Sequence, residues 1–134
     1  MKLLILDDDD CVIDLFSIRS QPYGHTIIPA SYPHDALSLL LANPDITAIF
    51  SDYHLPCMNG YDFCKTIREA PSYLSFQKIP IIGIGSFLEE HHHILTLFRP
   101  KPLNYTTLFE EVSRIAEGWI PTLEERVHPR IPNF

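Results

Sequence analysis

Five short apolar runs alternate along this chain with segments whose apolar residues recur at helical spacing. The runs cover residues 3–6, 26–28, 47–50, 79–84 and 97–99. The segments with helical spacing cover residues 11–19, 34–41, 61–69 and 105–117, and a weaker one covers 86–95. Short continuous apolar runs are typical of strands buried on both faces. Strands separated by helices predict βαβ units, and therefore an α/β fold with a doubly wound, five-stranded parallel sheet.

Length and charge limit the classes of protein that the chain can represent. Its 134 residues suit one domain. The formal net charge of −7 argues against binding to nucleic acid or to an acidic membrane surface. No apolar run approaches the roughly 20 residues of a membrane span, and the first residues do not form a signal peptide. Three cysteines, Cys11, Cys57 and Cys64, occur without a Cys-x-x-Cys pair, which favours reduced thiols and a cytoplasmic location.

Charged residues follow three of the predicted strands. The first strand ends in Asp7 and Asp8, the third ends in Asp52, and Lys101 follows the fifth. Because ligands of open parallel sheets lie at the carboxyl ends of the strands, these side chains are expected to meet at one edge. Carboxylates that converge repel each other and need a cation. A set of oxygen ligands of this kind suits Mg²⁺, and the lysine would add a second positive partner for a phosphoryl group.

Each of these residues also has an ordinary explanation. In the run of four aspartates, Asp9 and Asp10 are expected to cap the next helix and favour its dipole. Asp52 alone could be a turn residue, and Lys101, between two prolines, could be a solvated surface lysine. The combination at the strand ends favours a site.

Five motifs carry a resemblance to a known family. They are KLLILDD (2–8), SDYHLPCMNG (51–60), KTIR (65–68), IPIIGIGS (79–86) and FRPKP (98–102). With this spacing, residues 1 to about 117 resemble the receiver domain of the two-component response regulators, including the chemotaxis regulators. The resemblance implies a flavodoxin-like (βα)₅ fold, with a receiver domain over 1–118 and a proline-containing C-terminal tail over 119–134.

The resemblance also implies a role for each matching residue. Asp52 would accept a phosphoryl group from a phosphohistidine of a sensor histidine kinase or phosphotransfer protein. Mg²⁺ would be held by Asp8 directly, by Asp7 through water, by Asp52 and by the backbone carbonyl of His54. Lys101 would pair with the phosphoryl oxygens. Phe98 would occupy the position of the aromatic switch residue, although ordinary core packing is the alternative for this ring.

Two departures from the family pattern concern the segment after the fourth strand. Gly85 stands where the family has Thr or Ser, and Ser86 follows one place later. Either Ser86 supplies the hydroxyl through a shift in register or the hydroxyl is absent. In addition, the stretch from Gly85 to Lys101 is shorter than usual, which predicts a shortened fourth helix and puts the family's usual output and dimer surface in doubt.

The expected function is that of a stand-alone, single-domain response regulator in a Mg²⁺-dependent phosphorelay. It would signal through contact with a downstream protein, as a monomer or weak dimer, and would catalyse only its own phosphorylation and dephosphorylation. The alternative is a phosphorylation-independent interaction module with the same fold. A hydrolase is disfavoured, because residue 54 is His where a second acid would be wanted.

Three smaller features have open interpretations. The Glu-Glu-His-His-His run over 89–93 could bind a metal but is more typical of a solvated loop. Cys11 and Cys64 are expected to be small core residues. Trp119 and the prolines that follow it are expected to pack on the same chain, with docking to a partner as the alternative.

Overall fold

Strands and helices alternate along the chain as the apolar runs predict. The computed structural model describes residues 1–55, 59–85 and 93–127. The strands are β1 (Lys2–Leu6), β2 (Thr26–Ala30), β3 (Ala48–Asp52), β4 (Ile81–Gly85) and β5 (Leu97–Pro100). The helices are α1 (Asp10–Ser20), α2 (Pro33–Ala42), α3 (Gly60–Glu69), α4 (Tyr105–Ala116) and α5 (Leu123–Val127). Short 3₁₀ segments cover Gln21–Tyr23 and Pro71–Phe76.

The five strands form one parallel sheet in the order β2-β1-β3-β4-β5. This order confirms the predicted doubly wound α/β fold. The chain moves to one side of β1 to form β2 and returns to the other side for β3, so the strand order reverses between β1 and β3. Ligands of doubly wound sheets bind outside the carboxyl ends of the strands at such a reversal.

Both faces of the sheet are covered, because successive side chains of a strand point to opposite faces. Leu4, Leu6 and Ile49 belong to a buried cluster on the face covered by α2 and α3. Leu3 and Phe50 belong to the cluster on the other face, which α1 and α4 cover. The two clusters surround the sheet and hold its carboxyl edge in place.

Residues 71–78 connect α3 to β4, and they do not form an extended linker. They include the 3₁₀ segment Pro71–Phe76, in which Tyr73 and Phe76 are buried. Both aromatic rings join the cluster on the α3 face. The proline and the two serines of this stretch suggest a loop, but burial of the two rings makes it part of the core.

Several predictions fall on residues outside the described ranges. Ser86 and most of the predicted helix over 86–95 lie there, and so do Cys57 and His91 and His92. Of the span 86–95, the structure describes His93–Leu95, where residues 93 and 94 form a turn. The predicted shortening of that helix is therefore neither confirmed nor contradicted.

The segment after α4 packs on the body of the protein. Trp119 is half-buried against the cluster on the α4 face, and the Arg114 guanidinium lies 4.6 Å from the centre of its ring. Farther on, α5 contacts β5. Within the described ranges, no helix has the length and apolar character needed to cross a membrane.

Arg99 on β5 attaches α5 to the sheet. Its side chain is buried, and its Nε donates to Oε1 of Glu111 at 2.8 Å while Nη2 donates to Oε2 of the same residue. The remaining N–H groups donate to the carbonyls of Phe98, Glu125 and Arg126. Two of these carbonyls belong to the end of α5, where helical carbonyls lack partners within the helix. All five donors of one guanidinium thus join β5, α4 and α5.

The two described cysteines are expected to differ in reactivity. Cys64 is fully buried, and burial raises the pKa of its thiol to about 12. Cys11 is exposed in the first turn of α1, so the prediction that it packs in the core was wrong. We expect iodoacetamide to alkylate Cys11 in the folded protein and to reach Cys64 only after unfolding, as peptide mass mapping would show. Alkylation of both at equal rates would contradict the packing of α3.

Candidate functional site

Three carboxylates meet at the carboxyl edge of the sheet. Asp7 follows β1 and Asp52 ends β3, and these strands pair directly, with Leu6 opposite Ser51. Asp7, Asp8 and Asp52 each place one carboxylate oxygen within 4.8 Å of the others. The sequence prediction that acids from two distant segments converge is confirmed by this geometry.

Lys101 faces two of these acids. Its Nζ donates to Oδ2 of Asp7 at 2.8 Å and lies 3.6 Å from Oδ2 of Asp52. Its backbone N–H donates to the Gly85 carbonyl at 2.7 Å, which continues the pairing of β4 with β5 beyond the end of the sheet. Strand pairing therefore positions the lysine, although the residue lies 94 positions from Asp7 in sequence.

Backbone N–H groups orient the two buried carboxylates. The N–H of Asp9 donates to Oδ1 of Asp7 at 2.9 Å, and the N–H of His54 donates to Oδ1 of Asp52 at 3.0 Å. In both residues Oδ1 is held by the chain that follows, while Oδ2 faces Lys101. Asp9 also accepts from the Cys11 N–H and caps α1, as predicted. This arrangement leaves Oδ2 of Asp52 as the oxygen directed to the lysine side of the site.

Burial and neighbouring charges shift two pKa values. Burial raises the pKa of Asp52, and the charges of Asp7 and Asp8 act in the same direction. The N–H of His54 and the ammonium of Lys101 oppose this shift without cancelling it. For Lys101, burial acts to lower the pKa, but the ion pairs with Asp7 and Asp52 outweigh burial and raise it. The lysine is thus held in its charged form beside the carboxylates.

The donor set fits a divalent cation. Three carboxylates and one ammonium group leave two negative charges, which one Mg²⁺ would neutralise. Asp8 is exposed whereas Asp7 and Asp52 are buried, so one side of the group is open to water. Mg²⁺ typically keeps several waters and takes one or two carboxylates, and this half-open set of oxygens matches that preference. The chemistry of the donors is therefore consistent with the predicted magnesium site.

Gly85 lies against the side chain of His54. A Cβ atom at Gly85 would lie 3.0 Å from Cδ2 and 3.2 Å from Nε2 of the His54 ring. The imidazole thus occupies the space beside residue 85, the position at which the resemblance to the family implies a Thr or Ser side chain. No spacing rule indicates a contact between residues 54 and 85, so the sequence did not predict this contact.

This contact predicts an energetic coupling between residues 54 and 85. We expect Gly85→Ala to be less favourable in the parent protein than in a protein that lacks the His54 ring, because the new methyl group requires that ring to move by a few tenths of an ångström. In a His54→Ala background the same change should stabilise by about 0.5–1 kcal/mol, since alanine loses less chain entropy than glycine in a strand. Urea unfolding of the four proteins of the cycle measures the coupling. Equal effects of Gly85→Ala in both backgrounds would contradict the contact.

Phe98 is buried rather than exposed at the sheet edge. Only 4% of its surface is accessible, and its ring packs edge-on against Tyr53 with 6.1 Å between ring centres. A Cβ at Gly85 would lie 3.6 Å from Phe98 Cζ, so the ring also lies close to the carboxyl end of β4. The inward position agrees with ordinary core packing, and the role of a switch residue stays a prediction.

Tyr105 is a neighbour of the site that the sequence did not indicate. It is the first residue of α4, and burial raises the pKa of its hydroxyl to about 12, with further contributions from the charges of Asp7 and Asp9. Its position follows from the N-cap Asn104, whose side chain accepts from the Thr107 N–H. That cap is readable in the sequence, but the approach of α4 to Asp7 is a tertiary contact.

Sequence comparison finds named relatives of the chain. The chain is 33% identical over 85 residues to the chemotaxis protein CheY1 of Helicobacter pylori, a match that covers 63% of this chain and 66% of the relative. It is 29% identical over 113 residues to the putative two-component response regulator ARR21 of Arabidopsis thaliana, covering 81% of this chain and 18% of the relative. The match thus spans less than two thirds of either relative. No protein-family model matches the chain.

Solved structures share the fold over most of the chain. The chemotaxis response regulator CheY4 of Vibrio cholerae has a TM-score of 0.70 at 24% identity, covering 85% of this chain and 97% of that structure. A two-component response regulator from Clostridium difficile has a TM-score of 0.76 at 22% identity, covering 88% and 97%. These likenesses establish the fold. The sequence relatives are named as two-component response regulators and chemotaxis proteins of the CheY type, and the chain is a homologue of these proteins.

Proposed function

We propose that Asp52 accepts a phosphoryl group from a phosphohistidine on a sensor histidine kinase or phosphotransfer protein. The observation that carries this proposal is the group of Asp7, Asp8 and Asp52 facing Lys101 at one edge of the sheet. The charges of Asp7 and Asp8 repel the charge on Asp52, and this repulsion does not stabilise the fold. A binding function for the three acids accounts for their proximity.

Oδ2 of Asp52 is the proposed nucleophile. Oδ1 accepts the His54 N–H, which fixes the plane of the carboxylate and leaves Oδ2 facing the lysine. Attack on phosphorus forms an O–P bond and breaks the N–P bond of the donor, whose ring nitrogen keeps the electron pair and takes up a proton. The product is an acyl phosphate on Asp52. Phosphoryl transfer requires positioning and charge neutralisation more than covalent chemistry by the protein.

Two positive groups are proposed to neutralise the transferred phosphoryl. Lys101 lies 3.6 Å from Oδ2 of Asp52, close enough for its ammonium group to pair with a phosphoryl oxygen after a small movement. Mg²⁺ would be held by Asp8, Asp52 and the carbonyl of His54, with Asp7 acting through water. When bound, the ion supplies charge stabilisation to the phosphoryl oxygens.

The proposed output is contact with a downstream protein. Receiver domains are signalling proteins rather than enzymes that turn over a metabolite, and this one would catalyse only its own phosphorylation and dephosphorylation. The second candidate is an interaction module that does not depend on phosphorylation. It is favoured by Gly85, which supplies no hydroxyl beside the site and is covered by the His54 ring.

Titration with Mg²⁺ and beryllofluoride separates the two candidates. A receiver with a working site should show saturable, Mg²⁺-dependent shifts of the backbone amide signals of Asp52, His54 and Lys101. We expect Asp8→Asn to weaken the response to Mg²⁺ by about tenfold or more, whereas Asp14→Asn, an equal charge change at an exposed position of α1, should leave it unaltered. Absence of any saturable shift in the parent protein would favour the interaction module.

A further inference from the structure

A polar cavity lies at the amino edge of the sheet, opposite the edge that carries Asp52. It has a volume of about 310 Å³ and is bounded by the end of α3, the segments before β4 and β5, and the segment after α4. Because the strands are parallel, residues that precede β4 and β5 lie at the amino edge, a strand length of roughly 16 Å from the carboxyl edge. The acids of the phosphoacceptor site therefore do not reach this cavity.

The cavity concentrates positive charge in an acidic protein. Arg68, Lys78 and Arg126 line it, His93 adds a ring, and no carboxylate residue lines it. The chain as a whole has a formal net charge of −7. Within the described ranges, none of these three cations forms an ion pair with a carboxylate. Cations without carboxylate partners around a cavity are expected to attract an anion.

Two nearby carboxylates that could have compensated these cations are engaged elsewhere. Glu111 pairs with Arg99 through both of its oxygens. Oε1 of Glu125 accepts from the Thr122 N–H, within the segment that leads into α5. Neither Glu111 nor Glu125 lines the cavity, whose charged lining residues within the described ranges are cationic.

Arg68 is held in place before any ligand arrives. Its Nε donates to the Ile94 carbonyl at 3.0 Å, and its Nη1 donates to the carbonyls of Gln77 and Ile79 at 2.8 and 2.6 Å. Carbonyl dipoles orient the guanidinium but leave its net charge, and burial lowers its pKa. Arg126 is also incompletely satisfied, because its Nε is buried with no acceptor among the described residues. An anion would add the missing negative charge.

We infer that this cavity binds a small polyanion that carries phosphate or carboxylate groups. The volume lies at the lower end of the range for small-molecule sites. Trp119 and Pro121 provide an apolar wall beside the three cations. The site is separate from the proposed transfer to Asp52 and does not depend on it. Since the cavity joins α3 to the segment after α4, bound anion would stabilise the packing of that segment.

The single tryptophan of the chain provides the test. Trp119 lines the cavity, so its fluorescence reports on occupancy. We would titrate the protein with pyrophosphate and separately with citrate, in the presence of a chelator, against sodium chloride at matched ionic strength. We expect a saturable change with at least one of the two polyanions, together with a shift of the Trp119 indole N–H signal larger than that of the Lys101 amide. The polyanion that gives a saturable change shows whether the cavity prefers phosphate or carboxylate groups.

Charge-matched variants make the result specific. Lys78 is exposed, and the carbonyl of Arg126 rather than its side chain binds Arg99, so Lys78→Gln and Arg126→Gln should fold. We expect each to weaken binding about tenfold, while Arg19→Gln, which removes the same charge from an exposed position of α1, should leave it unchanged. No saturable change with either polyanion, an equal change with chloride, or equal weakening by Arg19→Gln would overturn the inference.

Discussion

We expect the Asp52→Asn variant to take up no phosphoryl group from acetyl phosphate and Mg²⁺, whereas the parent protein takes up one. The amide has nearly the shape of the carboxylate but lacks the charged oxygen that attacks phosphorus. Asp7 cannot readily replace it, because its Oδ2 is bound to Lys101 and its Oδ1 to the Asp9 N–H. Intact-protein mass spectrometry, with loss of the added mass after mild base treatment, measures the labelling.

The matched control for this experiment is Asp45→Asn. Asp45 is exposed and pairs with Lys2, whose β1 position is at the amino edge of the sheet, so the control removes the same charge far from the site. Its labelling should equal that of the parent protein, and chelation of Mg²⁺ should abolish labelling in both. Labelling of Asp52→Asn at the parental rate would show that another residue is the acceptor.

The second large effect concerns stability and arises at the ion pair of Arg99 with Glu111. Both side chains are buried, with 5% and 9% of their surfaces accessible. Removing one partner of a buried pair leaves the other charge uncompensated, which costs about 3–5 kcal/mol. We expect Glu111→Gln to lie near the lower limit, because the amide keeps one acceptor and three carbonyls still bind Arg99. A loss of this size lowers Tm by roughly 10 °C.

Glu110→Gln is the matched control, since the neighbouring Glu110 is exposed on the same helix. It should change the free energy of unfolding by no more than about 0.5 kcal/mol. Hydrogen exchange would add a local measurement, because Arg99 holds α5 through the carbonyls of Glu125 and Arg126 and weakened pairing should reduce protection of residues 123–127. Equal stability of the two variants in urea unfolding would show that the buried pair contributes nothing net.

The fold could be predicted from the sequence because its signal is local and repeated. Strands buried on both faces need continuous apolar runs, and the amphipathic helices between them need helical spacing, so both patterns are visible without coordinates. The predicted boundaries differ from the observed ones by a few residues. β4 begins at Ile81 where the apolar run begins at residue 79. The composition of residues 71–78 indicates a loop, yet two aromatic rings of this segment, Tyr73 and Phe76, enter the core.

Local pattern was a weaker guide within single helices. Cys11 and Cys64 were both assigned to the core, and only Cys64 is buried. In α1, Leu15 and Ile18 are 41% and 58% exposed, so the apolar residues of this helix do not all face the sheet. Helical spacing specifies which residues share a face of the helix. When apolar residues lie on more than one face, the surface against which the helix packs decides which face is buried.

The acids of the site could be anticipated because topology alone brings the ends of adjacent parallel strands to one edge. The positions of Asp7, Asp52 and Lys101 at strand ends therefore predict that these three side chains lie close together. Packing between segments distant in sequence determined the other features. It decided which oxygen of Asp52 faces the lysine and brought the His54 ring against Gly85. It also paired Arg99 with Glu111 and formed the cationic cavity around Trp119. Such contacts depend on distances and on burial, and neither is a property of the order of residues along a chain.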